Sequence, residues 1–376
     1  MEDSDTNSPN NSWQAGMGTG EQVFLSLVGT VMAVVGGLGN GVVVALVCCS
    51  PAMRSAINLL LATLALTDTM VMLLMLPLDV VTLIGREWLL PVSLCYAHEF
   101  LLAVTHLQGV VILTIICIDR YVIIVHRQDR LTPSTACWVI AGSWVLSACL
   151  ALPPMVGLGS HVVPPLPVGV THCIWKPSTP PSPGNLFYGC TMFIFVYLLP
   201  IFIIGACFAS ILRKFQKASA KVHNNKGDAT LDYNGIVECP QEKHNDNNEA
   251  KSSSSRRTLV PLDLRYKTQT FTTISMLFLV FVAFRSPLHL AQLVSLFTEE
   301  NTSYHKAYVW LLWWAYLQPA VNPVIYTIRI KTIREELFEY FPCLLHVVSG
   351  PASRGYSRSD LKAIYMIHEP RSGASN

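Results

Sequence analysis

Seven stretches of this sequence are long and apolar enough to cross a lipid bilayer as helices: roughly 23–49, 57–84, 93–125, 136–157, 187–212, 269–297 and 305–328. A hydrocarbon core about 30 Å thick takes about 20 apolar residues at the helical rise. Composition agrees, with 13% of residues charged and 51% hydrophobic, against about 25% charge in soluble domains. The expected fold class is all-α, a seven-transmembrane helix bundle in a lipid bilayer. A net charge of +2 points to no nucleic-acid partner.

Lys and Arg set the orientation, because cytoplasmic loops keep them. The first twenty residues have none, and the loops after spans two, four and six hold only Arg86, Lys176 and Lys306. The opposite side holds Arg54, Arg127, Arg130, a basic run from Arg213 to Lys226, and Arg329, Lys331 and Arg334. The N-terminus is therefore expected outside the plasma membrane, with no cleaved signal peptide. Residues 1–22 read as an extracellular tail, 23–328 as the bundle, and 346–376 as a cytoplasmic tail. A polar third cytoplasmic loop, about 214–266, is too poor in apolar residues to fold and is expected to be disordered. Residues 329–345 read as a short amphipathic eighth helix on the membrane surface, closed by Cys343, a candidate palmitoylation site. Asn10 and Asn301 each begin an N-x-S/T sequon on the outer side. Cys95 and Cys173 fall just outside the apolar runs, where an oxidising compartment would join them. The eleven cysteines include no C-x-x-C and no Cys/His ligand spacing, so neither metal nor cofactor is expected.

Polar residues inside membrane spans are costly and point to function. Span one carries Gly39-Asn40 and span two Leu64-Ala65-x-x-Asp68. Span three ends on Asp119-Arg120-Tyr121. Span four has Trp144, spans five and six have Pro200 and Pro287, and span seven has Asn322-Pro323-x-x-Tyr326. In this order the series resembles the rhodopsin-like (class A) G-protein-coupled receptors, over residues 23–345. Pro51 to Ala65, Val125 to Asp129 and Phe271 to Ile274 resemble one orphan branch more closely. That branch holds the probable G-protein coupled receptors forty-five and sixty-three, for which lysophospholipid ligands have been suggested.

The resemblance implies a receptor without enzymatic activity that carries an extracellular ligand's signal to a heterotrimeric G protein, with arrestin and receptor kinases as further partners. It implies a Cys95–Cys173 disulfide. It makes Asp119, Arg120, Tyr121, Asn322, Pro323 and Tyr326 the coupling and activation residues, and Asn40, Asp68 and Arg285 a buried polar switch. The candidate ligand pocket is Asp79, His98, Glu99, Leu102, His106, Arg285 and Tyr316. Leu102 stands where amine receptors carry an acid, and Tyr316 where opsins carry the retinal lysine. A biogenic amine and retinal are therefore not expected. Lys267 replaces the usual acid of span six, which favours basal activity, and Phe208 replaces a tyrosine. Phe284-Arg285-Ser286-Pro287 replaces Cys-Trp-x-Pro. Gly109, Gln318 and Pro319 leave the sodium site beside Asp68 degraded. A lone charge at mid-bilayer needs a partner. Arg285 is therefore expected either to pair internally with Asp68 or Glu99, with His106 neutral beside it, or to contact an acidic ligand headgroup. A transporter would show repeats or broken helices, and a membrane enzyme a nucleophile–base pair or a motif such as H-E-x-x-H. The sequence has neither.

Overall fold

The computed structural model describes residues 17–86, 88–158, 160–162, 174–176, 182–224, 262–298 and 302–340. Helix α1 is Thr19–Cys49, α2 Ala56–Gly85, α3 Val92–His126 and α4 Pro133–Ala151. Three consecutive segments, Pro183–Phe193, Ile194–Leu198 and Leu199–Asn224, make α5. Then come α6 (Leu262–Ser295), α7 (Thr302–Arg329) and α8 (Lys331–Tyr340). Six of these, α1 to α6, contain stretches long and apolar enough to cross a membrane. Helix α7 is more polar, with His305, Lys306, Gln318 and Asn322, and completes the bundle by packing between α1 and α6.

Local chemistry sets where helices begin. The Oγ1 of Thr132 accepts the Thr135 N–H at 3.2 Å, and the Oγ of Ser182 accepts that of Asn185 at 3.3 Å. A proline follows each cap, where its missing N–H costs nothing.

Two expectations need correction. Residues 214–224 and 262–266, assigned to a disordered loop, are helical, because α5 and α6 continue beyond the hydrocarbon through good helix formers such as Lys, Gln and Ala. The tail expected to reach residue 22 gives way to helix at Thr19. Between α4 and α5, two short strands, β1 (Ser160–Val162) and β2 (Ile174–Lys176), pair antiparallel with His161 opposite Trp175. The eighth helix is ten residues long, with Ile333 buried. Residues 341–345 of its expected range lie outside the described residues, as do Asn10, Cys173, Asn301 and Cys343.

Prolines dictate how the helices meet. A proline has no N–H for the carbonyl four residues earlier, and hydrocarbon offers no water to replace it. Pro323 leaves the carbonyl of Pro319 without a helical donor, and Asn40 of α1 supplies one, its Nδ2 2.8 Å from Pro319 O. The same amide also donates to Gly36 O at 2.8 Å. Gly39 permits the approach, since a Cβ there would lie 2.8 Å from Pro323 Cβ. In α6, Pro287 frees the carbonyl of Ala283, and the indole N–H of Trp314 in α7 donates to it at 3.0 Å. Helices α3 and α4 are tied by Gln108, whose Nε2 donates to Ser143 Oγ at 2.8 Å and whose Oε1 accepts from Ser147 Oγ at 3.2 Å.

This account predicts a coupling. Asn40→Ala should cost about 0.6–1.7 kcal/mol of stability, the range for hydrogen bonds between membrane helices. In a Pro323→Ala background, where residue 323 regains its N–H, the same substitution should cost less than half as much. Thermal unfolding of the four purified proteins measures this, and equal costs in both backgrounds would refute it.

Candidate functional site

At the end of the bundle where α3 and α5 finish, the Asp119 carboxylate holds Arg120. Its Oδ2 accepts from Nε at 3.0 Å and from a terminal guanidinium nitrogen at 2.5 Å. The Tyr121 hydroxyl lies 3.2 Å from His126 Nε2 within the same helix. Among the described residues no partner from another helix reaches Arg120. Phe208 packs edge-on against Phe271 and Phe278, an apolar contact in place of the hydroxyl its position usually offers.

The middle of the bundle holds two polar groups. In the first, Asn322 donates to Asp68 Oδ2 at 2.7 Å, and Asn40 reaches Pro319 as described. Tyr326, one turn below, is fully buried, and its hydroxyl has no hydrogen-bond partner among the described residues. The second centres on Arg285, only 5% exposed. Its Nε donates to Gln318 Oε1 at 3.2 Å, and its Nη1 lies 2.6 Å from His106 Nε2. A guanidinium only donates, so His106 Nε2 must accept, and the imidazole is neutral with its proton on Nδ1. The expected ion pair of Arg285 with Asp68 or Glu99 is not formed: its partners are neutral, and the Asp68 carboxylate is taken up by Asn322. Gln318, expected at a degraded sodium position, serves the guanidinium instead.

Toward the end where α1 begins, Asp79 of α2, His98 and Glu99 of α3 and Tyr316 of α7 come together. The Tyr316 hydroxyl donates to Asp79 Oδ2. His98 stands between two acids, with Nε2 3.4 Å from Asp79 Oδ1 and Nδ1 3.4 Å from Glu99 Oε1. These are ion-pair contacts too long and misaligned for good hydrogen bonds. Trp88 covers the imidazole edge-on, its ring centre 5.7 Å away. Cys95, fully buried beside Trp88, is disulfide-bonded.

A cavity of about 210 Å³ opens among α3, α4, α5, α6 and α7. Its walls are mainly apolar, including Phe100, Met155, Met192, Phe193 and Leu296, with Glu99, Gln292 and Tyr308 as polar points. Beneath it a narrower cavity runs past Arg285 and Gln318 to Asp68 and Asn322. His106 and His289 line both. Of the seven expected pocket residues, Glu99 and His106 border the large cavity and Arg285 the deep one. Asp79, His98, Leu102 and Tyr316 line neither, being packed on the α2–α7 side. Sequence reasoning missed His289, Gln292, Tyr304 and Tyr308. Their spacings of three and four residues mark one helix face each, a signal available in the sequence.

Comparison with known proteins agrees with this geometry. The model of the family described as 7 transmembrane receptor (rhodopsin family) matches residues 39–326. "Probable G-protein coupled receptor 45" of Homo sapiens is 34% identical, the match covering 93% of this chain and 91% of that one. "High-affinity lysophosphatidic acid receptor" of Xenopus laevis is 32% identical over the same shares, and "Probable G-protein coupled receptor 63" of Homo sapiens 31% over 93% and 80%. The crystal structure of squid rhodopsin superposes with a TM-score of 0.70 at 17% identity, covering 96% of this chain and 95% of that one, which shows a common fold. The chain therefore belongs to the rhodopsin family of seven-transmembrane receptors, multi-pass membrane proteins that carry extracellular ligand signals to G proteins and are not enzymes.

Proposed function

We propose that this receptor sits in the plasma membrane with its N-terminus outside and responds to an anionic single-chain amphiphile of the lysophospholipid type. The observation that carries the ligand class is the large cavity, whose long apolar wall suits an acyl chain better than a small polar transmitter. A relative 32% identical, named for lysophosphatidic acid, supports the same class. On the cytoplasmic side, Arg120 would leave Asp119 for an incoming G-protein helix. Asn322, Pro323 and Tyr326 would carry the change, since a proline-kinked α7 can turn the buried Tyr326 inward. Phosphorylation of Ser252 to Ser255 by receptor kinases would recruit arrestin. Asn10 and Asn301 would carry glycans and Cys343 a palmitoyl chain. Cys173 would complete the Cys95 disulfide, which suits its place one residue before β2, a strand packed against α3.

A second reading, signalling without ligand, rests on one observation. Arg120 is held only from within its own helix among the described residues. Resting and active states then differ by a local contact rather than an interhelical lock.

Nucleotide exchange on a panel of G proteins, in membranes with and without 1-oleoyl lysophosphatidate, tests both readings. A lipid-dependent rise supports the first, high exchange without lipid supports the second, and no exchange in either condition refutes both. In the same assay, Arg120→Ala is expected to abolish exchange while surface expression remains near normal. Turnover equal to wild type would remove the coupling role of Arg120. For the disulfide, Cys95→Ala and Cys173→Ala should each lower stability by about 2–5 kcal/mol and reduce surface expression. The double variant should be no worse than either single one, and additive losses would show that these cysteines are not partners.

A further inference from the structure

We propose that Arg285 anchors the acidic group of the ligand at the floor of the cavity, so that the amphiphile binds acid-down with its chain directed toward the outside. This deepens the lipid reading above and rests on it. Among the described residues lining the two cavities, Arg285 is the sole lysine or arginine. The carboxylate on the upper cavity, Glu99 on the outer part of α3, is paired with His98. The cation an anion can approach therefore lies below, where Arg285 shares the deep cavity with Asp68.

The state of the guanidinium points the same way. Arg285 lies in the membrane interior with 5% of its surface exposed, and its two hydrogen-bond partners, Gln318 and His106, are uncharged. No carboxylate stands within ion-pair distance of it among the described residues. Asp68 shares the deep cavity, but its carboxylate accepts from Asn322. A guanidinium offers five N–H donors in a planar fork, and the two bonds described leave donors over for a second, charged acceptor. A buried cation held only by neutral groups is stabilised strongly by an anion, because charge-assisted bonds strengthen where water is excluded.

Access is also built in. His106 hydrogen-bonds the guanidinium, and together with His289 it forms a wall common to both cavities, so an acidic group resting there is within one side chain of Arg285. Above this floor, Phe100, Leu107, Met192, Phe193 and Val196 offer an apolar channel for the chain. The chemistry required is a terminal anionic oxygen pair at the end of a single long chain. A carboxylate and a phosphate monoester both supply it.

The test uses the full-length receptor in nanodiscs, with binding read from melting temperature against probe concentration. The acids are oleate and 1-oleoyl lysophosphatidate, and their neutral partners are methyl oleate and monooleoylglycerol. Wild type should bind at least one acid more than about ten-fold tighter than its neutral partner, the worth of one charge-assisted contact. Which acid does so distinguishes a fatty acid from a lysophospholipid. Arg285→Gln should lose that preference, and Arg285→Lys should keep it at reduced affinity. Should the glutamine variant fail to fold, Arg285→Met and the comparison of acid with ester on wild type carry the test. An acid preference that survives in either neutral variant overturns the anchor while leaving the lipid reading intact. Neutral partners that bind wild type as tightly as the acids overturn the anchor and the anionic character of the ligand, while leaving a single-chain amphiphile in the cavity. No response of wild type to any of the four probes overturns the anchor and the lipid reading together.

Discussion

The architecture depends on one constraint: a backbone carbonyl in hydrocarbon must find a donor inside the protein. Regular helix satisfies it everywhere except where proline interrupts the ladder. At two of those points the missing donor comes from the neighbouring helix. Asn40 of α1 serves the carbonyl freed by Pro323, and Trp314 of α7 serves the one freed by Pro287. The proline breaks in the ladders of α6 and α7 are thus also points where α1, α6 and α7 are joined. A receptor that must change shape keeps its helices in register by the same atoms that let them bend.

The polar side chains obey the same rule. Several groups in the interior are held by a partner on another helix: Asp68 by Asn322, Asp79 by Tyr316, Gln108 by Ser143 and Ser147. Arg285 is held by Gln318 of α7 and His106 of α3. It stands where the family has an uncharged aromatic ring, at the junction of the two cavities. It shares the deep cavity with Asp68 but lies beyond ion-pair distance of that carboxylate.

Much of the site was legible along the chain, and the misses have physical causes. Asp119 and Arg120 are neighbours in sequence, so the long arginine side chain can fold back onto the adjacent carboxylate. Asn40, Asp68 and Asn322 were marked by the expense of polarity within apolar runs. The ligand pocket was read less well. Leu102, His98 and Tyr316 share spans with true lining residues, but helix rotation turns them toward α2 and α7. Arg285 showed in the sequence that a partner was needed. Its choice of Gln318 and His106 depended on side-chain reach, which spacing does not encode.

The sequence by itself determined the seven spans, their order and the positions of the bends, because hydrophobic run length and proline are local properties. Charge in the loops likewise set the expected orientation. Tertiary structure alone decided which helix supplies each missing donor, which faces line the cavity, and that the guanidinium in the core bonds Gln318 and His106 and, among the described residues, forms no close ion pair. These outcomes depend on how far each helix is rotated about its own axis. In a bilayer that rotation is set by close packing and by polar partners on other helices, not by the hydrophobicity of any one span.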